Sequence, residues 1–339
     1  MNVREQGTKR VLVTGGAGYI GSVLVRQLLR RGYSVRVLDI LRSGGEAIID
    51  LLDHPNFEFI RADVGDAEAL TDATEDVWST VHLAAIVGDP ACARDPELAR
   101  RVNLDASKLL YETCEAAGVE RFVFASTCSN YGKMEGTDAF VTERSPLRPL
   151  SVYAETKVAF EEYLLGQPET NHCKPTCLRF ATVYGLSPRI RFDLTVNQFT
   201  KELVLGRELV VFGEQFWRPY CHVQDLARSA VATLESELDS VAFDVFNVGS
   251  TPENYQKRDI IDLIKTEVID ARIKYVQKQE DPRDYRVNFD KIKGRIGFTT
   301  TKTVIDGIRE VKYAIENGVV LNPDDPKYYN VVPTEVNAA

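Results

Sequence analysis

A tyrosine and a lysine four positions apart, Tyr153 and Lys157, are the side chains with the clearest chemical use in this sequence. On a helix, residues at this spacing lie one turn apart on the same face. An unperturbed phenol has a pKa of about 10, too high for a base at neutral pH, and a neighbouring ammonium group favours its phenolate. The pair therefore predicts a tyrosine that moves a proton.

The second chemical element is a glycine-rich turn formed by Gly15, Gly18 and Gly21, which follows an apolar run and opens an amphipathic stretch. Gly15 permits the tight turn, Gly18 lets the backbone approach a pyrophosphate, and Gly21 lets a helix pack close to the sheet. The helix start, with Tyr19 and Ile20, presents N–H groups and a favourable dipole to the phosphates. Together the two elements predict a redox enzyme whose tyrosine moves a proton while a bound nicotinamide moves a hydride.

Two carboxylates extend the predicted dinucleotide site. Asp39 closes the second predicted strand, where it can accept hydrogen bonds from the adenosine ribose hydroxyls and repel a 2′-phosphate. NAD is therefore favoured over NADP, although Arg42 lies nearby. Asp63, followed by Val64 at the end of the third predicted strand, is a candidate for binding the adenine amino group. A loop carboxylate without a ligand is the alternative for Asp63.

The elements that must position these residues follow an α/β rhythm. From Arg10 to about Phe180, short β-branched runs alternate with longer amphipathic stretches, which indicates β-α-β crossovers and a parallel sheet. Predicted strands span residues 11–14, 34–39, 57–61, 80–83, 121–126 and 176–180. Predicted helices span residues 20–31, 96–117 and 152–165, each followed by a glycine stop signal. The predicted fold is an α/β, doubly wound parallel sheet of the Rossmann type.

Beyond residue 180 prolines interrupt shorter elements, although residues 243–248 still have the pattern of a buried strand. This change predicts a smaller, interleaved α/β lobe that binds substrate. We assign residues 1–180 with 221–250 to the dinucleotide-binding domain, 181–220 with 251–330 to the lobe, and 331–339 to a tail. The first seven residues and the segment from Asn322 onward are expected to be loosely ordered.

Composition restricts the function classes. The chain has 339 residues, 44% of them hydrophobic, so it can bury a large core. Its formal net charge of -9 argues against a general affinity for nucleic acid or anionic membranes. No apolar run approaches the length of a membrane helix, and residues 1–10 lack the apolar core of a signal peptide. We expect a cytoplasmic protein that binds neither nucleic acid nor membrane.

The six cysteines are scattered along the chain. Only Cys173 and Cys177, with His172, lie close enough to raise the question of a metal site. That cluster lacks a second half with ligand spacing, so unpaired thiols are favoured over zinc and no metal is predicted.

The segments that suggest a family cover nearly the whole chain. They are TGGAGYIG at 14–21, HLAA at 82–85, Asn103, ASTCSNYG at 125–132, Tyr153-x-x-x-Lys157 and RPYCHVQD at 218–225. This combination resembles the extended short-chain dehydrogenase/reductase family, specifically its nucleotide-sugar epimerases and dehydratases. The resemblance implies NAD contacts at Leu83, Ala84, Ala85 and Asn103, and a hold on the nicotinamide ribose by Lys157.

The resemblance also implies oxidation of a sugar ring carbon, C4, with NAD accepting the hydride and Tyr153 the hydroxyl proton. Thr127, just past the fifth predicted strand, is placed to hydrogen-bond the same hydroxyl. An epimerase returns the hydride to the other face of the keto sugar, whereas a C4 dehydrogenase releases the ketone; the sequence does not separate these two. A non-catalytic NAD-binding protein would have no reason to keep Thr127, Tyr153 and Lys157.

Dehydration is disfavoured by two substitutions. Similar 4,6-dehydratases carry Asp-Glu directly after the threonine, where this chain has Cys128 and Ser129. A thiol is a poor proton donor to a leaving hydroxyl, and serine does not titrate in range. We assign both positions to the substrate site, with Cys128 as a small packing residue the alternative.

Nucleotide-sugar enzymes must hold a diphosphate, which planar arginines do best. The candidates are Arg218, Arg283 and the pair Arg189 and Arg191, and Arg218 matches the family position most closely. An exposed, solubilising arginine is the alternative for Arg189 and Arg218.

Two further residues are candidate substrate contacts. Thr182 stands where similar epimerases place an asparagine, so it is predicted to replace a phosphate or sugar contact. Asn197, on the next helix, is a candidate for the nucleotide base or, alternatively, a polar residue on the helix surface.

A homodimer is expected because similar proteins pair the helices 96–117 and 152–165 across a two-fold axis. We assign Leu109, Phe160 and Leu164 to the outer apolar stripe that such a pairing needs.

Overall fold

The computed structural model describes residues 9–134, 140–277 and 283–331, and a seven-stranded parallel sheet lies at its centre. The strands, numbered in chain order, are β1 Arg10–Thr14, β2 Ser34–Leu38, β3 Phe57–Ile60, β4 Ser79–His82, β5 Arg121–Thr127, β6 Lys174–Phe180, β7 Thr182–Tyr184, β8 Glu208–Phe212, β9 Trp217–His222, β10 Asp244–Val248, β11 Asn254–Gln256 and β12 Arg272–Val276. The central sheet has the order β10-β6-β5-β4-β1-β2-β3. The predicted doubly wound fold is confirmed, and each predicted strand lies within two residues of its expected ends.

Eleven α-helices connect and cover the strands within the described part of the chain. They are α1 Gly21–Arg30, α2 Ala67–Thr74, α3 Asp89–Arg94, α4 Pro96–Arg100, α5 Ala106–Ala116, α6 Val152–Leu165, α7 Thr195–Val204, α8 Val223–Glu235, α9 Lys257–Glu267, α10 Asp290–Ile296 and α11 Val304–Glu316. Short 3-10 turns occur at Glu46–Leu51, Cys128–Tyr131, Leu238–Ser240, Thr251–Glu253 and Pro326–Tyr328. In the described segments, no helix combines the length and the apolar character that a membrane span requires.

The predicted bounds of two helices agree with the structure to different extents. The prediction for residues 152–165 matches α6 at both ends. The prediction for residues 96–117 covers α4 and α5, which are joined by a wide π-helical turn at Arg101–Asp105. Such a turn re-aims one side chain within an otherwise regular helix. Here it carries Asn103.

Both faces of the central sheet are buried. In β1, Val11 and Val13 pack in the core cluster formed with α1 and α8, whereas Leu12 packs on the opposite face with α2, α5 and α6. Because side chains alternate along a strand, burial on both faces requires an almost continuous apolar run. This requirement explains why the central strands could be recognised from the sequence.

The later part of the chain builds a smaller lobe with its own core. A three-stranded sheet has the order β11-β9-β7, and β12 pairs with β8. Tyr184, Tyr220 and Ile308 are buried in the cluster that α7, α9 and α11 form with these strands. The boundary expected between residues 220 and 221 falls inside β9, and we propose moving it to the start of α8.

The expectation of loose order from Asn322 onward is wrong for residues 322–331. Lys201 donates to the Asp324 carboxylate at 2.8 Å and to the Tyr329 hydroxyl at 2.7 Å. The Phe192 amide donates to the Tyr328 carbonyl at 2.9 Å. An ion pair and buried contacts therefore fasten this segment to α7. The first seven residues and residues 332–339 lie outside the described residues.

The assignment of an outer stripe on α5 and α6 also needs correction. Phe160 and Leu164 are fully buried, and Phe160 packs edge-on against Phe124 with the ring centres 4.7 Å apart. Both residues belong to the core because α6 covers the sheet on this face. Only Leu109 of the three predicted residues is partly exposed.

The contact between α11 and β7 predicts unequal effects of two glycine substitutions in helices. A Cβ atom on Gly307 would lie 2.4 Å from the buried ring of Tyr184, whereas one on Gly294 in α10 would meet nothing within 4 Å. We expect Gly307→Ala to lower the free energy of unfolding by about 1–3 kcal/mol. Gly294→Ala should raise it by about 0.5–1 kcal/mol, because alanine favours the helix.

Urea denaturation of both variants and the wild type measures the difference. Equal stabilities of the two variants would show that α11 does not pack against Tyr184 as closely as the structure shows.

Candidate active site

The three predicted catalytic residues meet at the carboxyl end of β5. Ser151 caps α6 by accepting from the Ala154 amide, which places Tyr153 in the first turn and Lys157 one turn later. The Lys157 ammonium group donates to the Ala125 carbonyl at 2.9 Å and lies 5.9 Å from the centre of the Tyr153 ring. Thr127 ends β5, and its side chain is close enough to the Tyr153 phenol to lower the pKa of that phenol, while its hydroxyl accepts from the Ser129 amide at 3.1 Å.

Burial dominates the protonation of this group. It raises the pKa of Tyr153 above its ordinary value, and Cys92 and Asp89 raise it further, whereas Arg191 and the Thr127 side chain lower it. Burial also lowers the pKa of Lys157 to about 8. The protein alone therefore keeps the phenol protonated at neutral pH. Added positive charge, such as that of an oxidised nicotinamide, is needed to favour the phenolate.

The glycine turn has the close approaches that a dinucleotide cradle needs. Gly15 has a φ of +73°, and a Cβ atom there would lie 2.8 Å from the Ala84 amide nitrogen. A Cβ atom on Gly21 would lie 2.2 Å from the Gly15 carbonyl oxygen, and one on Gly18 would lie 3.1 Å from it. Helix α1 then begins without a side-chain cap or an acidic residue in its first turn. Its N-terminal N–H groups are thus suited to phosphate oxygens.

Asp39 connects the two loops that flank the adenosine side of this cradle. Its carboxylate accepts from the Ala17 amide at 3.0 Å and from the Leu41 amide at 2.8 Å. Burial raises the pKa of Asp39, and these two hydrogen bonds oppose the rise. Asp63 is exposed and accepts from the Gly65 amide at 2.8 Å, while Val64 is buried. The geometry of Asp63 fits a loop carboxylate as well as an adenine contact.

The chain that follows β4 packs against the glycine turn. Leu83, Ala84 and Ala85 are partly buried there, and the Leu83 amide donates to the Thr14 carbonyl at 3.1 Å. Asn103 reaches this segment from the π-helical turn: its amide oxygen accepts from the Ile86 amide at 2.8 Å, and its amide nitrogen donates to the Ile86 carbonyl at 3.0 Å. Asn103 therefore fixes the backbone at Ile86, directly after the three residues predicted to contact NAD.

A second wall faces Thr127 from the lobe. The Ser129 side chain is close enough to the Tyr285 phenol to oppose the rise that burial causes in its pKa, and the Arg218 guanidinium group lies 5.5 Å from the Tyr285 ring centre. Cys128 does not line this wall, contrary to its assignment to the substrate site. Its thiol is buried and donates to the Arg179 carbonyl at 3.2 Å, and burial raises its pKa. These contacts fit the alternative expectation that Cys128 is a small packing residue.

The other residues predicted to bind substrate differ in whether their side chains already have partners. Thr182 begins β7 in register with Tyr220 of β9 and is partly exposed. The Arg191 guanidinium group pairs with Asp193 at 2.9 Å, and the Arg283 guanidinium group pairs with Asp89 at 2.8 Å. The phosphate contacts predicted for Arg191 and Arg283 would therefore share these groups with carboxylates.

Asn197 is fully buried, so the alternative of a polar residue on the helix surface is wrong. Its amide oxygen accepts from the Gly185 amide at 2.9 Å, and its amide nitrogen donates to the Gly185 carbonyl and the Arg191 carbonyl. It also hydrogen-bonds the Tyr19 hydroxyl at 3.3 Å. These contacts occupy the amide and fix the segment 185–191 rather than facing the open cleft.

Sequence reasoning missed two residues of the site, Tyr285 and Glu161. Glu161 is buried, accepts from the Ser126 hydroxyl at 2.8 Å and pairs with Arg179 behind the threonine loop. The spacing of Tyr153, Lys157 and Glu161 on one face of α6 was a signal for it. Tyr285 comes from a distant segment, and nothing in its local sequence points to Ser129.

The low pKa of Lys157 predicts a pH-dependent effect of Lys157→Met on stability. The folded chain binds this proton more weakly than the unfolded chain, so the wild type carries a penalty that is full below about pH 8. The penalty disappears as pH rises to the unfolded pKa of about 10.4. We expect the stability of the variant, relative to the wild type, to fall by about 3 kcal/mol across this window.

Urea denaturation at a series of pH values across this window measures the difference in the free energy of unfolding. A difference that does not change with pH would show that Lys157 is not a buried cation.

Comparison with known proteins agrees with this geometry. The model of the NAD dependent epimerase/dehydratase family matches residues 11–249. The chain is 31% identical over 262 residues to the UDP-glucose 4-epimerase of Bacillus subtilis strain 168, covering 71% of this chain and 77% of that protein.

Solved structures show the same similarity. The UDP-glucose 4-epimerase of Thermotoga maritima, solved with UDP-glucose, has 27% identity and a TM-score of 0.80 over 91% of this chain and 99% of that one. The dTDP-glucose 4,6-dehydratase of Streptomyces venezuelae, solved with NAD, has 27% identity and a TM-score of 0.81 over 91% of this chain and 98% of that one. This chain therefore belongs to the NAD-dependent epimerase/dehydratase family of extended short-chain dehydrogenases/reductases, enzymes that use NAD.

Proposed function

We propose that the protein is a nucleotide-sugar epimerase that oxidises the sugar at C4 to a transient 4-keto intermediate. The observation that carries the proposal is the meeting of Thr127, Tyr153 and Lys157 at the carboxyl end of β5, on the same edge of the sheet as the glycine turn after β1. A phenol, a hydroxyl and an ammonium group at one point can bind and deprotonate a single alcohol.

Each of the three side chains has one task in this reaction. NAD, when bound, supplies the acceptor and then the donor of the hydride at C4. Tyr153 takes the proton of the C4 hydroxyl, and Thr127 donates a hydrogen bond to that oxygen as it becomes a ketone. The charge of Lys157 favours the phenolate while the proton is away. When the ketone is reduced on its other face, Tyr153 returns the proton.

The residues after Thr127 favour epimerisation over 4,6-dehydration. Removal of water across C5 and C6 needs an acid and a base beside the sugar. The Cys128 thiol is buried against the Arg179 carbonyl and burial raises its pKa, so it cannot serve as that acid. Ser129 offers no carboxylate, and its hydroxyl does not titrate near neutral pH.

A nucleotide diphosphate fits the wall of the lobe. Arg218 is buried beside Tyr285, and this pairing places a guanidinium group and an aromatic ring close to Ser129. We propose that Arg218 binds the diphosphate, because its guanidinium group is buried in this wall and planar guanidinium groups suit phosphate oxygens. The relatives with UDP-sugar names support this substrate class.

Replacing Tyr153 by phenylalanine tests the function directly. We expect the turnover of a responsive substrate from a panel of UDP-, GDP-, CDP- and dTDP-sugars to fall about 10²–10⁴-fold, because the proton carrier is lost. Tyr163→Phe on the same helix is the control, since the Tyr163 hydroxyl bonds Glu112 at the surface. NMR of the product and absorbance of NADH provide the measurement.

An epimer without net NADH supports the proposal. A ketone with stoichiometric NADH would identify a C4 dehydrogenase instead. Unchanged turnover in Tyr153→Phe would remove Tyr153 from the reaction.

We also propose a homodimer formed through α5 and α6, supported by the partly exposed Leu109 and by the family resemblance. Multi-angle light scattering should give twice the mass of one chain, and Leu109→Glu should shift the protein towards the monomer. A monomer at all concentrations tested would contradict the dimer.

A further inference from the structure

The segment 185–191 of the lobe crosses the start of α1, where the cofactor phosphates are expected. The Ser187 hydroxyl donates to the Tyr19 carbonyl at 2.6 Å and hydrogen-bonds the Ser22 hydroxyl at 3.1 Å. The Tyr19 hydroxyl donates to the Gly185 carbonyl. The lobe is thus fastened directly to the glycine turn, and the residues that follow Ser187 are carried over its open side.

Arg189 lies in this segment and is 7% exposed. Its Nη2 atom donates to the Ser43 hydroxyl at 3.0 Å, whereas its Nη1 atom is buried without a hydrogen-bond partner. No ion pair to Arg189 occurs within residues 9–134, 140–277 and 283–331. Burying a cation without a counter-charge is costly, so an anion that joins it later gains strongly.

Three other arginines whose side chains are largely shielded from solvent pair with carboxylates in the described residues. Arg36 pairs with Glu58, Arg179 pairs with Glu161, and Arg191 pairs with Asp193. Arg189 differs from them, and burial together with the charge of Arg191 lowers its pKa to about 10. The neighbouring Asp193 is already bonded twice by Arg191.

The position of the guanidinium group selects the dinucleotide as its anion. Ser43 belongs to the loop after β2 that Asp39 ties to the glycine turn through the Ala17 amide. Arg191, in contrast, lies near the Tyr19 ring and acts on the Tyr153 phenol. The two arginines therefore lie near different parts of the predicted cofactor site. Arg189 lies near the predicted adenosine contacts, and Arg191 lies near the predicted proton carrier, Tyr153.

We propose that Arg189 binds the pyrophosphate of NAD from the lobe side and keeps the cofactor bound between turnovers. This replaces the nucleotide-sugar contact predicted for Arg189. The inference rests on the proposed function, since an epimerase that regenerates NAD within each turnover benefits from retaining it.

Two substitutions test the role of Arg189 without reference to activity. NAD is stripped from Arg189→Gln, Arg189→Met and the wild type, and isothermal titration then measures its dissociation constant. We expect the constant to rise about 10–100-fold in both variants, because a charge-assisted hydrogen bond to phosphate is lost. Arg207→Gln is the control, since Arg207 is a lobe arginine paired with Asp324, and its constant should not change.

Thermal unfolding without NAD separates binding from structure. The Arg189→Met melting temperature should equal or exceed that of the wild type, because an uncompensated buried charge is removed, and the stabilisation by added NAD should shrink. A lower melting temperature with unchanged NAD affinity would make Arg189 a structural residue and overturn the proposal.

Titration with UDP distinguishes the two possible phosphates. The UDP dissociation constant should be the same in Arg189→Gln and the wild type. Weaker UDP binding with unchanged NAD binding would show that Arg189 contacts the nucleotide sugar and would overturn the proposal. None of these readings needs turnover, so they hold or fail independently of the epimerase assignment.

Discussion

The predicted active site depends on one costly arrangement, the buried ammonium group of Lys157 beside the partly buried Tyr153. Lys157 is held by a single carbonyl of β5, and burial lowers its pKa to about 8 while raising that of Tyr153. With its pKa raised, the Tyr153 phenol alone is not suited to accept a proton at neutral pH. In the proposed reaction, the positive charge of an oxidised nicotinamide would favour the phenolate. The proposed proton transfer to Tyr153 and the proposed hydride transfer to NAD therefore depend on each other.

Contacts elsewhere in the fold hold the loops around Thr127, Tyr153 and Lys157 in place. Glu161 and Arg179 support the threonine loop from behind, and Asn103 holds the chain after β4 against the glycine turn. Asn197 and Tyr19 join the lobe to the start of α1. Since substrate and cofactor walls are bonded to one another, a change in either one is transmitted to the other.

Much of this architecture was predictable because it depends on local patterns. Strands buried on both faces must be apolar runs, and α6 is bounded by a serine cap and a glycine, so its ends were predicted correctly. Long-range contacts were not predictable in the same way. Phe160 seemed available for an interface because its helix has apolar residues on several sides, and only the packing against Phe124 assigns it to the core. The order near Tyr329 depends on Lys201, far away in the sequence.

The most direct test of the central claim is the ultraviolet titration of the Tyr153 phenol, obtained by subtracting the spectrum of Tyr153→Phe from that of the wild type. With NAD bound, the account predicts that this phenol ionises at a lower pH than in the NAD-free protein. Lys157→Met should remove part of that shift. A phenol that titrates at the same alkaline pH with and without NAD, and with and without Lys157, would contradict the account.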